Sequence, residues 1–168
     1  MLKLSKTNHM RYLGAAAGVA LALAGSAALA SPASASTDAS SGAKPRVQTF
    51  ELVGKQTSSG EVDLGKPGLS VGDQKIVHED LYRDGKKVGD HSAACIVTQV
   101  SPAALQCLGT FSLPEGQFAG QALLHLPAPA SVDVGITGGS GEFSTARGFI
   151  RTVPAGATER HFTVHLQR

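Results

Sequence analysis

The feature that most constrains this chain is a succession of short apolar segments and tight turns between Gly72 and Phe111. Three segments rich in apolar and β-branched residues occupy positions 75–82, 93–100 and 105–111. Asp84-Gly85 separates the first two and suits a tight antiparallel turn, because both residue types tolerate a positive φ. Ser101-Pro102 provides the second reversal. The stretch therefore predicts two consecutive β-hairpins.

The two cysteines of the chain lie on the two arms of the second predicted hairpin, Cys95 on the first and Cys107 on the second. An even number of cysteines in an exported protein is typical of a disulfide framework. Two cysteines alone do not make a zinc site, which needs three or four protein ligands. We predict an intrachain Cys95–Cys107 disulfide and no metal site.

The N-terminus has the pattern of a secretory signal peptide. Three basic residues precede an Ala- and Leu-rich run at 13–30, and A-x-A cleavage sequences end at Ala30 and Ala35. A transmembrane anchor is the alternative, but Gly and Ser interrupt the apolar run and Ser-Pro ends it. We predict a signal peptide over residues 1–35, with cleavage near Ala35, and a secreted, extracellular protein.

The charge balance argues against nucleic acid as a partner. The chain has fifteen Lys and Arg against thirteen Asp and Glu, and three of the basic residues belong to the predicted signal peptide. The remaining chain is therefore nearly neutral and contains no basic run. Once the signal is removed we expect no membrane association, and no cofactor is predicted.

The remainder of the chain predicts one all-β domain. Residues 36–45 are rich in Ser, Ala, Thr and Gly and are expected to form a disordered lead to a domain at 46–168. Further alternating segments predict strands at 46–53, 117–126, 132–137, 149–153 and 160–167, with one long loop at 54–72. About eight short strands with local turns indicate an eight-stranded antiparallel β-barrel, which leaves no unpaired edge.

Small residues at several strand positions, among them Ala93, Ala94, Ala119, Gly120 and Gly135, favour a hollow barrel with an apolar cavity. A filled interior is the alternative.

Two other motifs have ordinary explanations. The sequence at 68–72 matches G-x-S-x-G, but a nucleophile elbow needs a strand before it and a helix after it, and neither is predicted. His161 and His165 lie four residues apart on a predicted strand, which separates them by roughly 13 Å, too far to share a metal ion. Neither motif indicates hydrolase or metal chemistry.

Three segments carry a family resemblance: GDQKIVHEDLYRDGKKVGDHSAACIVT, QCLGTFSLPEGQ and ITGGSGEFSTARG. Together they resemble the barrel domain of allene oxide cyclases and dirigent proteins, in a secreted bacterial branch, over roughly residues 47–166. The resemblance implies an eight-stranded antiparallel barrel with an apolar cavity, and a homo-oligomer, either a trimer or a dimer. It also implies one of two activities: cyclisation of an unsaturated fatty-acid epoxide, or steering of phenoxy-radical coupling.

The resemblance also implies candidate catalytic residues. Dirigent proteins use cavity-lining acids and an arginine, and these roles fall on Glu79 or Asp80 and on Arg147. Alternation sends only one of the two acids inward, and Leu81 stands where the plant proteins have proline, so the choice stays open. We expect Arg147 to meet the inward acid, and Tyr82 to serve as a phenol donor.

The water-holding asparagine of the cyclases has no counterpart, since the only asparagine of this chain is Asn8. An apolar ligand-binding wall is predicted from four further residues: Phe111, Phe118, Ile136 and Phe149.

These observations predict a secreted barrel that binds a small apolar or phenolic molecule. It is either an isomerase or cyclase, or a protein that binds or steers its ligand without bond chemistry, as a lipocalin-like carrier does. A structural exported barrel with a filled interior is the third possibility.

Overall fold

A computed structural model of the chain describes residues 47–167. The predicted signal peptide at 1–35 and the predicted lead at 36–45 lie outside the described residues. Within residues 47–167, none of the helical structure is long and apolar enough to cross a membrane.

Eight antiparallel strands form a closed barrel in which each strand pairs with the next and the last pairs with the first. The strands are β1 (Val47–Val62), β2 (Gln74–Arg83), β3 (Lys86–Val100), β4 (Ala103–Leu113), β5 (Gly116–His125), β6 (Val132–Gly139), β7 (Arg147–Pro154) and β8 (Glu159–Gln167). A short 3-10 turn, Gly141–Phe143, lies between β6 and β7. The predicted eight-stranded antiparallel barrel is confirmed.

The predicted turn between β2 and β3 is also present, with φ values of 52° at Asp84 and 75° at Gly85.

The first strand is longer than the sequence suggests, and the predicted loop at 54–72 is wrong. β1 stays paired with β2 from Val53 as far as Val62, apart from one irregularity after Gln56. Most side chains beyond Gln56 are exposed, so this part of β1 lacks the apolar alternation that identifies a half-buried strand. Its ladder depends on backbone hydrogen bonds, which need no apolar side chain. The connection to β2 is therefore only residues 63–73.

One half of the barrel interior is filled with apolar side chains. Inward residues of β1, β2, β4, β5 and β8 meet there in a buried core: Leu52, Leu81, Leu113, Phe118, Val164 and Leu166. Phe143 of the 3-10 turn packs on Phe118 with ring centroids 5.0 Å apart and closes this end. Gly141, at a φ of 59°, lets the turn approach so closely that a Cβ would lie 2.6 Å from the Glu115 carbonyl oxygen. We call this the filled half.

The predicted disulfide joins β3 to β4. Cys95 and Cys107 are direct cross-strand partners and are bonded to each other. The bond closes a loop with a sequence separation of 12. This confirms the pairing inferred from the second hairpin.

We expect the Cys95→Ala/Cys107→Ala variant to lose about 3 kcal/mol of unfolding free energy, the chain-entropy estimate for a loop of this size. Urea denaturation of both proteins without reductant measures the difference. Alkylation of the unfolded, unreduced wild-type protein is the control and should label no thiol. Two labelled thiols would contradict the disulfide.

Candidate active site

The other half of the barrel contains a cavity of about 140 Å³. It lies toward the end formed by the β1–β2, β3–β4, β5–β6 and β7–β8 connections, and we call this the cavity half. The space exists because small residues line it, among them Ala93, Gly109, Gly120 and Ala122. The Cys95–Cys107 disulfide forms part of the same wall. The volume is close to the roughly 150 Å³ of an engineered cavity that binds benzene, so one ring fits.

Three rings separate the cavity from the filled half. His91 stacks on Phe111 with centroids 4.2 Å apart, and Phe162 meets both rings edge-on at 5.3 and 5.0 Å. All three side chains line the cavity and are at most 5% exposed. They form an aromatic floor that contains one polar ring, His91.

Glu79 lies directly behind this floor. Val77, Glu79 and Leu81 alternate inward along β2 and are all buried, and Glu79 has no solvent exposure. Its Oε2 accepts a 2.8 Å hydrogen bond from Nδ1 of His91. Gly54 makes room, since a Cβ there would lie 3.1 Å from Oε2 and 2.7 Å from Phe162. Of the two candidate acids, Glu79 is therefore the inward one.

The contact with Glu79 determines which nitrogen of His91 is available to a ligand. An ionised carboxylate offers only acceptor oxygens, so Nδ1 must carry the hydrogen. Nε2 then faces Gly109, where an added Cβ would lie only 2.8 Å away. Within residues 47–167 Nε2 makes no hydrogen bond. A neutral His91 thus presents an unused lone pair at the cavity.

Arg160 supplies a cation on the other side of Glu79. Its Nε lies 3.0 Å from Glu79 Oε1, close enough for an ion pair. The N–H is not directed at that oxygen, so Oε1 accepts no aligned hydrogen bond from any residue the structure describes. We therefore treat the contact as Coulombic. The Arg160 side chain is 36% exposed and lines the cavity.

The other predicted catalytic residues lie away from this cluster. Asp80 faces outward and pairs with Lys87 at 2.8 Å, and this hydrogen bond raises the pKa of Lys87. Tyr82 also lies outside, with the Lys55 ammonium 5.0 Å from its ring centre. Arg147 is exposed at the start of β7. Among the described residues no ion pair joins Arg147 to either acid, so the expected partner was wrong: Arg160 stands beside Glu79.

Of the four predicted wall residues, only Phe111 lines the cavity. Phe118 stacks on the far side of Phe111 at 4.8 Å, in the filled half. Ile136 packs against the buried core. Phe149 is on the outer face, stacked on His165 at 4.5 Å.

The sequence did not lead us to His91 and Arg160, although the alternation of inward and outward residues along their strands could have identified both. Arg160 is in phase with the inward residues Phe162, Val164 and Leu166, and His91 is in phase with Ala93 and Cys95. A charged residue in phase with a buried face is the expected mark of an interior site.

We expect Glu79→Gln to lower the unfolding free energy by about 2 kcal/mol, since it leaves Arg160 without its buried counter-charge. Asp80→Asn is the matched control, because it makes the same acid-to-amide change one residue away on the outer face. It should change stability by less than about 0.5 kcal/mol. Urea denaturation measures both. Equal effects would show that the buried charge does not stabilise the fold.

The family model of the allene oxide cyclase barrel-like domain matches residues 51–166. None of the curated proteins searched matches the chain significantly.

Among solved structures, pyocyanin demethylase shares 29% identity and covers 70% of this chain and 99% of its own, with a TM-score of 0.61. A pterocarpan synthase dirigent protein covers 74% of this chain and 89% of its own at 14% identity and a TM-score of 0.60. An exo-specific intermolecular Diels-Alderase covers 74% and 98% at 11% identity and a TM-score of 0.62. The last two similarities establish the shared fold.

Proposed function

We propose that this chain, which belongs to the allene oxide cyclase barrel-like family, is a secreted enzyme. It binds a compact ring-containing molecule and moves a proton through His91. The reaction class is isomerisation or cyclisation, in which a proton leaves one atom of the substrate and is returned to another. The apolar cavity holds the ring, and the floor supplies the proton acceptor.

The observation that carries this proposal is the buried 2.8 Å hydrogen bond between His91 Nδ1 and Glu79. It fixes the ring, leaves Nε2 at the cavity, and places a negative charge where an imidazolium would form. A proton taken from the substrate at Nε2 is therefore stabilised on His91 by Glu79. Because His91 is only 5% exposed, bulk water has little access to compete for that proton.

The solved structures support a small-molecule substrate. Their names describe demethylation of pyocyanin, formation of pterocarpan and a Diels–Alder reaction. The demethylase is the most similar of these three by identity. The Cys95–Cys107 disulfide is consistent with the extracytoplasmic location that the proposal requires.

A second candidate function is binding or steering without bond chemistry. It is favoured by the lining of the cavity, which is apolar except for His91, Arg160 and Thr152. The catalytic roles predicted from the sequence for Asp80, Tyr82 and Arg147 stay predictions, as does the homo-oligomer, and the present proposal gives these three residues no part in the proton transfer. Their positions outside the cavity make Asp80 and Arg147 useful as controls.

Deuterium exchange tests the proposal without knowledge of the natural substrate. We expect the protein to accelerate exchange of the hydrogens beside the carbonyl of cyclohexanone or acetophenone in D2O, with saturation, as measured by NMR. His91→Gln removes the proton acceptor and should slow the catalysed exchange by about 10²- to 10⁴-fold. Arg147→Leu should leave the rate unchanged.

Three outcomes separate the functions. Exchange that depends on His91 supports the enzyme. Saturable binding of these ketones without exchange favours the binding or steering protein. Absence of both binding and exchange with cyclohexanone and acetophenone contradicts a cavity that binds a one-ring ligand.

A further inference from the structure

We infer that the ligand of the cavity half carries an acidic hydroxyl group on a flat conjugated ring, and that it binds as an oxygen anion between His91 and Arg160. This inference rests on the proposed function and extends it by naming the chemical class of the ligand. It follows from the charges at the floor of the cavity, the unused donors of Arg160 and the volume available.

Three side chains that can carry charge meet at the floor. Glu79, His91 and Arg160 come from β2, β3 and β8. The neighbouring inward positions on β1 and β4 are Gly54 and Gly109, which bring no charge. With His91 neutral, the charges of the Glu79 carboxylate and the Arg160 guanidinium cancel. A proton on His91 would leave one uncompensated positive charge. A ligand anion would balance that charge beside the fully buried Glu79 and the nearly buried His91.

The guanidinium of Arg160 has donors to offer. It carries five N–H groups, and its one ion pair among the described residues is the unaligned approach of Nε to Glu79. The side chain borders the cavity, whose walls are otherwise mostly apolar. A planar fork of donors at an apolar cavity is complementary to an oxygen anion, to which charge-assisted hydrogen bonds are about twice as strong as neutral ones.

The proton balance is complete with the groups present. The O–H bond of the ligand breaks and its proton forms a new bond to Nε2 of His91. The electron pair of the broken bond remains on the ligand oxygen. The charges then alternate from ligand oxygen to His91, Glu79 and Arg160. The hydroxyl group of the ligand must be conjugated with a ring to be acidic enough for this transfer, because an aliphatic alcohol is far too weak an acid to give its proton to an imidazole.

The cavity limits the ring. About 140 Å³ accommodates one ring and short substituents. Phe111 and Phe162 in the floor line the cavity with apolar carbon atoms. The ligand class is therefore a phenol or a ring enol of about benzene size.

A pair of matched probes tests the inference. p-Nitrophenol has the acidic hydroxyl and absorbs differently as its anion, whereas nitrobenzene has the same nitro-substituted ring without the hydroxyl. At a pH below the pKa of free p-nitrophenol, we expect the protein to raise the phenolate absorbance in a saturable way. Nitrobenzene should bind at least about tenfold more weakly, which corresponds to about 1.4 kcal/mol.

Substitutions of single residues show which side chain is responsible for the phenolate absorbance. Arg160→Leu should abolish the phenolate absorbance and weaken p-nitrophenol binding about tenfold or more, while nitrobenzene binding stays the same. Arg160→Lys should retain part of the absorbance, because it keeps the charge. Arg147→Leu is the matched control for a non-specific surface cation and should change neither probe. If Arg160→Leu does not fold, Arg160→Gln removes the charge and keeps a hydrogen-bond donor.

The outcomes distinguish this inference from the proposed function. If both probes bind with equal affinity and no phenolate appears, the ligand class is wrong, although the cavity still binds a ring. A phenolate signal that Arg147→Leu removes and Arg160→Leu leaves intact would also overturn it. Failure of both probes to bind would overturn the proposed function and the inference together.

Discussion

The interior of this barrel is organised around a carboxylate that solvent does not reach. An isolated buried carboxylate would cost several kcal/mol, so Glu79 requires compensation from its neighbours. His91 and Arg160 provide it from strands that are distant in sequence, and Gly54 gives it space. Only a closed barrel brings these groups together, because β8 reaches Glu79 by pairing with β1. The same closure creates the cavity that His91 and Arg160 border.

The two halves of the barrel separate the buried apolar core from the cavity. The segment ITGGSGEFSTARG, the most specific of those that carry the family resemblance, contributes Phe143 and Ala146 to the buried core of the filled half. Its arginine, Arg147, ends exposed on β7. The polar side chains that line the cavity are His91 of β3, Thr152 of β7 and Arg160 of β8, none of which belongs to this segment. A motif that identifies a fold can therefore lie apart from the residues that line the cavity.

Much of the architecture could be predicted from the sequence, for identifiable reasons. Period-two alternation located the strands, the Asp84-Gly85 pair located a turn, and the two hairpin arms paired Cys95 with Cys107. The extension of β1 could not be predicted, because its exposed polar side chains carry no alternation. Val77 and Leu81 flank Glu79 in phase, so its inward orientation was available from the pattern. Its pairing with Arg160 was not, because the stagger between strands determines which inward residues meet across a barrel.

The pairing of the first strand with the last has a consequence for how the chain can be connected. Val47 lies opposite Gln167, at the end of the barrel away from the cavity. The strand order is therefore a circle, and the chain could in principle begin at any of its turns. A short linker joining these two strand ends, with new ends opened at the Asp84-Gly85 turn, would keep every ladder of the barrel. For the same reason, a surface attached at residue 47 or 167 would hold the molecule with its cavity half directed away from that surface.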